Sequence, residues 1–184
     1  MEKSVSAPRA LRRILITGPE STGKSELAHA LADAFHGIVV PEYSREYIER
    51  LGRPYEYTDV EHISRKQLKE YDDSMNLNSW VFFDTWLIIT RVWFEIVFGH
   101  VPGWMDEKIR EARFDLVLLC APDIPWISDQ VRENGGQMRD TLFDKYKAEL
   151  DRFGLDWFLV SGSGTERQNM AIKLINRRIP NVTT

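Results

Sequence analysis

Cysteine is almost missing from this 184-residue chain, which has a single one, Cys120, inside the apolar run DLVLLCAPD. One thiol can build neither a disulfide framework nor a cysteine-based zinc site, so hydrophobic packing must supply the core, and a reducing cytoplasm is the expected compartment. An excess of positive charge is missing too. With 24 Lys+Arg against 28 Asp+Glu the net charge is -4, which argues against nucleic acid or an anionic membrane surface as partner. Long apolar runs are absent: VFFDTWLIITRVWFEIVFG is interrupted by Asp84, Arg91 and Glu95, short of the roughly 20 apolar residues of a membrane span. The opening MEKSVSAPRALRR leads into a four-residue apolar run, whereas a signal peptide needs roughly seven to fifteen. Residues 1–12 therefore read as a flexible leader and 13–184 as one domain, without repeats or low-complexity tracts.

What is present is an alternation. Short β-branched or aromatic runs at Ile14–Thr17, Gly37–Val40, Trp80–Phe83, Leu116–Cys120 and Trp157–Val160 predict five strands. Helical spacing marks Glu26–Phe35, Glu42–Leu51, Val60–Asn76, Trp86–Phe98, Met105–Arg113, Thr141–Phe153 and Glu166–Arg177. Strand and helix in turn imply a three-layer α/β sandwich, a five-stranded parallel sheet with helices on both faces. The least regular stretch, SDQVRENGGQMRD, places Gly135 and Gly136 among charged residues and suits a mobile lid.

GPESTGKS, Gly18 to Ser25, matches the phosphate-loop pattern G-x-x-x-x-G-K-[ST] between a predicted strand and a predicted helix, which makes the sandwich a P-loop NTPase fold. Gly18 and Gly23 let backbone amides converge on phosphate oxygens, with Pro19, Glu20, Ser21 and Thr22 forming the loop between them. The helix that begins near Glu26 adds its positive end. Lys24 is placed to reach the β- and γ-phosphates of ATP, and Ser25 carries a hydroxyl for Mg²⁺. The second metal-side group is Asp84, which closes the run WVFFD at the same sheet edge; a helix N-cap is its other reading, and both roles can coexist. Asp115 opens its strand and is a poor rival. Asp123, in the turn PDIPW, reads as a cap or lid anchor.

The second strand runs into VVPEYSREYIERLG, so Glu42, Tyr43 and Arg45 emerge beside Lys24 and Asp84. Glu42 could hold or deprotonate an acceptor hydroxyl, and Arg45 could bind a phosphate or substrate oxygen. A solvated helix start is the competing reading of the same residues. Arg132 and Arg139 flank the glycine pair as lid arginines able to close on a triphosphate, against a solvated-surface reading. After the last strand, Ser161 to Thr165 could line the adenine ring or form an ordinary turn.

In this order GPESTGKSEL, PEYSREY, FFDTW, FDLVLLCAPDIPW and DQVRENGGQMRDTLFDKY resemble the ribosylnicotinamide kinase domain of the NadR type and its AAA-like relatives. The resemblance covers nearly the whole chain. It implies ATP and Mg²⁺ and phosphoryl transfer to the ribose 5′-hydroxyl of nicotinamide riboside, a step of NAD salvage. By the same match Lys24 and Ser25 serve phosphates and metal, Glu42 and Arg45 belong to the acceptor pocket, and Arg132 and Arg139 form the lid. The chain departs from the pattern at one place, where Asp84-Thr85 is followed by Trp86 instead of a second acid. Trp86 can stack on a flat heterocycle or sit in the core. The expected partner is a small nucleoside-type molecule, and homo-oligomerisation is left open. Two alternatives stand beside this one: a kinase for another nucleoside or nucleotide, and an ATP-hydrolysing regulatory switch. A GTP switch is disfavoured because the chain has no Asn-Lys-x-Asp string.

Overall fold

A computed structural model of the chain describes residues 12–128 and 133–179. Arg132 and the leader up to residue 11 lie outside the described residues. Five parallel strands, β1 (Arg12–Thr17), β2 (Ile38–Val40), β3 (Trp80–Asp84), β4 (Leu116–Cys120) and β5 (Trp157–Val160), lie in the order β2-β3-β1-β4-β5. Seven α-helices connect or flank them: α1 (Lys24–Phe35), α2 (Tyr43–Leu51), α3 (Tyr57–Ser74), α4 (Leu87–Trp93), α5 (Met105–Glu111), α6 (Gln137–Arg152) and α7 (Gly164–Arg178). The expected strands are present, and so are the expected helices but for one, with ends displaced by a few residues.

The three middle strands are buried on both faces, and for that reason their sequences read as unbroken apolar runs rather than alternations. The period of two still sorts their side chains. Ile14, Ile16, Phe82, Leu116 and Leu118 pack under α1 and α7, while Leu15, Val81, Phe83, Val117 and Leu119 pack under the helices of the other face. Helix α1 presents Lys24, Leu27, Ala28, Leu31 and Ala32 to the sheet, the three-and-four spacing of one helical stripe.

One expected helix is remodelled. Where the spacing predicts Trp86–Phe98 as a single helix, Trp86 stays extended at φ -164°, α4 ends at Trp93, and a π-helical turn runs Phe94–Phe98. The wider turn rotates the side chains that follow it, and Ile96 and Val97 come to line the cleft described below. Behind this turn the buried Arg91 braces three elements, pairing with Asp106 of α5 at 2.8 Å, Glu149 of α6 at 3.0 Å and Glu95 at 3.3 Å. Among the described residues no helix is long and apolar enough to cross a membrane.

Candidate active site

The loop from Gly18 to Ser25 joins β1 to α1 at the carboxyl edge of the sheet. Gly18 has φ 141°, and a Cβ there would meet the Cys120 carbonyl at 2.7 Å, so no side chain fits where the loop crosses β4. Gly23 starts α1 from the left-handed region at φ 71°. Inside the loop Lys24 is buried, its Nζ donating to the Pro19 carbonyl at 2.8 Å, and the Thr22 hydroxyl donates to the same carbonyl at 2.9 Å.

Asp84 ends β3 directly beside this loop, paired in register with Ile16. Thr85 follows at φ 69°, a strained conformation for a β-branched residue, and its N–H donates to the Ile16 carbonyl at 2.9 Å. Asp84 Oδ1 and the hydroxyls of Thr17 and Thr85 are buried with no hydrogen-bond partner, a concentration of open polar atoms at one strand edge. Trp86, not Asp84, occupies the N-cap position of α4, so the capping reading of Asp84 falls away.

Burial, and next the facing Glu42 carboxylate, push the Asp84 pKa up to about 6, against the charge of Lys24 and the Ser25 hydroxyl. Between its ordinary value of 3.8 and about 6 this acid binds more protons folded than unfolded. Its stabilising contribution is therefore full below the lower value and lost as pH rises through the upper one. Asp84→Asn removes that loss. Relative to wild type, the nucleotide-free variant should gain about 2–3 kcal/mol between about pH 4 and about pH 7.5 in urea unfolding. Parallel profiles for the two proteins would show that Asp84 is not held in this strained charge state.

From the loop a cleft of about 370 Å³ runs to a mainly apolar end, the chamber. Glu42, Ser44 and Arg45 stand at the junction, and Ile48, Tyr55, Ile89, Trp93, Ile96 and Val97 wall the far end. The Ser44 hydroxyl donates to Glu42 at 3.0 Å, and Arg45 pairs with Glu49 at 3.1 Å. Tyr55 stands edge-on to Trp93, ring centroids 4.9 Å apart. Its loop is fixed from behind by Asp59, which accepts both guanidinium arms of Arg53 at 2.8 and 2.9 Å and the Tyr47 hydroxyl at 2.8 Å. Those bonds, the Arg53 one foremost, hold the Asp59 carboxyl down to about 2.

The expected site residues divide into those that meet in this cleft and those that do not. Gly18, Glu20 to Glu26, Glu42 and Arg45 line it. Trp86 does not: it is 1% exposed and packs on Tyr71 and Phe114 at 5.2 and 5.0 Å. The stacking expectation for Trp86 is corrected because the residue precedes the helix and turns into the core. Tyr43 likewise does not line the cleft; half-buried, it faces α3, its hydroxyl 3.0 Å from His62 Nε2. Arg139 is no free lid arginine; it is 6% exposed, and its guanidinium donates to the carbonyls of Glu20, Ser21 and Ile124. Thr165 is exposed on the first turn of α7, and its neighbours Ser163 and Gly164 line a small recess beside Gly23 and Glu26. Asp123 anchors the loop after β5, accepting from the Gly162 amide at 2.7 Å and pairing with Arg167. Sequence reasoning missed Tyr55, Trp93 and Arg167.

A glycine-bounded phosphate loop on a β2-β3-β1-β4-β5 parallel sheet, with a carboxylate closing the adjacent strand and an open, largely apolar cleft beside it, defines a P-loop protein of the nucleoside and nucleotide kinase fold. The AAA domain family model matches residues 13–167, and the chain belongs to that family. It is 30% identical over 148 residues to the "Trifunctional NAD biosynthesis/regulator protein NadR" of Salmonella typhimurium, and equally to that of Escherichia coli. Each match takes in 78% of this chain and 36% of the relative, so the chain spans about a third of the length of these curated relatives. In fold it is similar to NadR protein in complex with NR, at TM-score 0.79 and 21% identity, over 94% of this chain and 52% of that one. It is also similar to deoxyadenosine kinase from M. mycoides with bound dATP, at TM-score 0.65 and 15% identity, over 90% and 99% of the two chains.

Proposed function

We propose that this chain is an ATP- and Mg²⁺-dependent kinase that phosphorylates the 5′-hydroxyl of a nucleoside-type acceptor, with nicotinamide riboside the first candidate. The observation that carries the proposal is the single cleft joining the phosphate loop to an aromatic chamber, with an acid and an arginine at the junction. A hydrolytic switch has no need of that chamber. The similarity to NadR proteins and the fold shared with a NadR complex with NR favour the nicotinamide nucleoside over others.

The residues divide the reaction between them. The loop amides and Lys24 hold the triphosphate and offset charge on the phosphoryl group in transfer. Glu42 accepts the hydroxyl proton as the acceptor oxygen bonds to the γ-phosphorus and the bond to the ADP oxygen breaks. Buried Asp84, with its open Oδ1, and the Ser25 hydroxyl beside it would hold Mg²⁺, a carboxylate and a hydroxyl being the hard oxygen donors such an ion takes. When bound, the metal supplies positive charge at the phosphate oxygens.

A thermal-shift and ADP-release screen over nucleosides tests the proposal. ADP release stimulated by nicotinamide riboside supports it; stimulation by a deoxynucleoside instead favours the second reading, which the full-length fold match to deoxyadenosine kinase keeps open. Release at one rate with every acceptor or none would overturn both in favour of the switch.

The two tryptophans separate function from packing. Trp93→Ala should raise the acceptor KM about tenfold with a small effect on stability, since aromatic stacking on a base is worth roughly 1–3 kcal/mol. Trp86→Ala should lower stability by about 3–5 kcal/mol and leave the acceptor KM of the folded fraction unchanged. The reverse pattern would return Trp86 to the pocket.

A further inference from the structure

The phosphate loop has a back as well as a front, and the back is fully engaged. The Pro19 carbonyl accepts from Thr22 Oγ1 and Lys24 Nζ, and the Gly23 carbonyl from the Leu27 amide at 3.0 Å. The three carbonyls between them are taken by two buried arginines from distant elements. Arg139, on the first turn of α6, donates Nε to Glu20 O at 3.1 Å and Nη2 to Ser21 O at 2.7 Å. Arg167, on the first turn of α7, donates Nη1 to Thr22 O. Each arginine is tied down on its other side. Arg139 Nη1 reaches Ile124 O at 2.8 Å; Arg167 reaches Ala121 O at 3.2 Å, Gly162 O at 2.7 Å and the Asp123 carboxylate.

In a planar trans peptide the C=O of one residue and the N–H of the next point in opposite directions. Holding the carbonyls of Glu20, Ser21 and Thr22 outward therefore turns the amides of Ser21, Thr22 and Gly23 toward the cleft, where they form an anion-binding nest. We propose that Arg139 and Arg167 are positioning residues that set this nest by clamping its carbonyl side, acting through the loop backbone rather than by touching phosphate. The proposal rests on the reading of the loop as the ATP site. A planar guanidinium suits the task because its fork serves two or three carbonyls at once, which the single ammonium of lysine cannot do.

Inorganic tripolyphosphate is the probe, because it engages the nest without a base or a sugar. Calorimetric titration of R139K and R167K with tripolyphosphate and with ATP should show each variant losing about tenfold or more in affinity for both ligands, the effect of leaving buried carbonyls unpaired. Asp123→Asn, made on an exposed side chain, removes the charge that anchors Arg167 and keeps an oxygen for the Gly162 amide to donate to. It should weaken tripolyphosphate in the same direction, and it is the variant to read should either lysine variant fail to fold. Tripolyphosphate affinity within twofold of wild type in the folded variants would overturn the clamp, and so would a loss confined to ATP, which would place these arginines on the base. Wild-type protein that binds neither ligand would remove the nest and with it the ATP site, whereas wild-type binding with unaffected variants removes the clamp alone.

Discussion

Lys24→Ala should reduce phosphoryl transfer by about 10³-fold or more while leaving the protein folded. The side chain is 7% exposed and lies in the first turn of α1, where its ammonium donates to the Pro19 carbonyl at 2.8 Å. That carbonyl keeps the Thr22 hydroxyl when the lysine is gone, so no backbone group is orphaned by the change. Nor does α1 lose its seat, since Leu27, Ala28, Leu31 and Ala32 continue to fill the sheet face. What disappears is the one cation placed inside the loop, and with it the charge that offsets the phosphoryl group as it moves. The readout is kcat by ADP release beside the unfolding transition of the same sample. Retention of more than about a tenth of wild-type kcat, well inside the range such contacts carry, would overturn the phosphate-loop mechanism.

The ease with which Lys24 was found, and the difficulty of Trp93 and Arg167, have the same physical origin. A phosphate loop is a local device: its glycines, its lysine and its hydroxyl act through backbone they themselves belong to, so spacing along the chain encodes geometry in space. Asp84 was legible for a related reason, because a parallel strand delivers its last residue to a known edge. The chamber wall has no such code. Ile89, Trp93 and Val97 carry the apolar spacing of any core-facing helix, and nothing in that spacing says that they face a cleft, nor that Val97 does so from a π turn. Trp86 misleads for the complementary reason: it sits one turn before them but outside the helix, where the helical period says nothing about its direction. Arg139 reads in the sequence as a lid or solvated surface arginine, and Arg167 carries no signal there at all. Their burial depends on carbonyls of a loop more than a hundred residues earlier, as the separations of 118 and 145 positions show.

Glu42→Gln should lower kcat by about 10²–10⁴-fold, the range of a positioned general base, with the KM for ATP little changed. Glutamine keeps the shape of the side chain and an oxygen for the Ser44 hydroxyl to donate to, so the start of α2 is preserved. The substitution also relieves the metal side of the cleft. The Glu42 charge is the second cause, after burial, that raises the Asp84 pKa toward about 6; without it Asp84 ionises at lower pH and becomes a better partner for Mg²⁺. A Mg²⁺ titration of the variant separates a loss of the proton acceptor, which leaves the Mg²⁺ requirement level, from a loss of negative charge at the metal site, which raises it. What is lost is the acceptor for the hydroxyl proton, and the 5′-deoxy analogue of nicotinamide riboside, which has no such proton, should be inert with wild-type enzyme as well. Turnover of nicotinamide riboside by Glu42→Gln at the wild-type rate would show that another group takes the proton. A loss that appears in the KM for ATP would instead move Glu42 from the acceptor chamber to the nucleotide side of the junction.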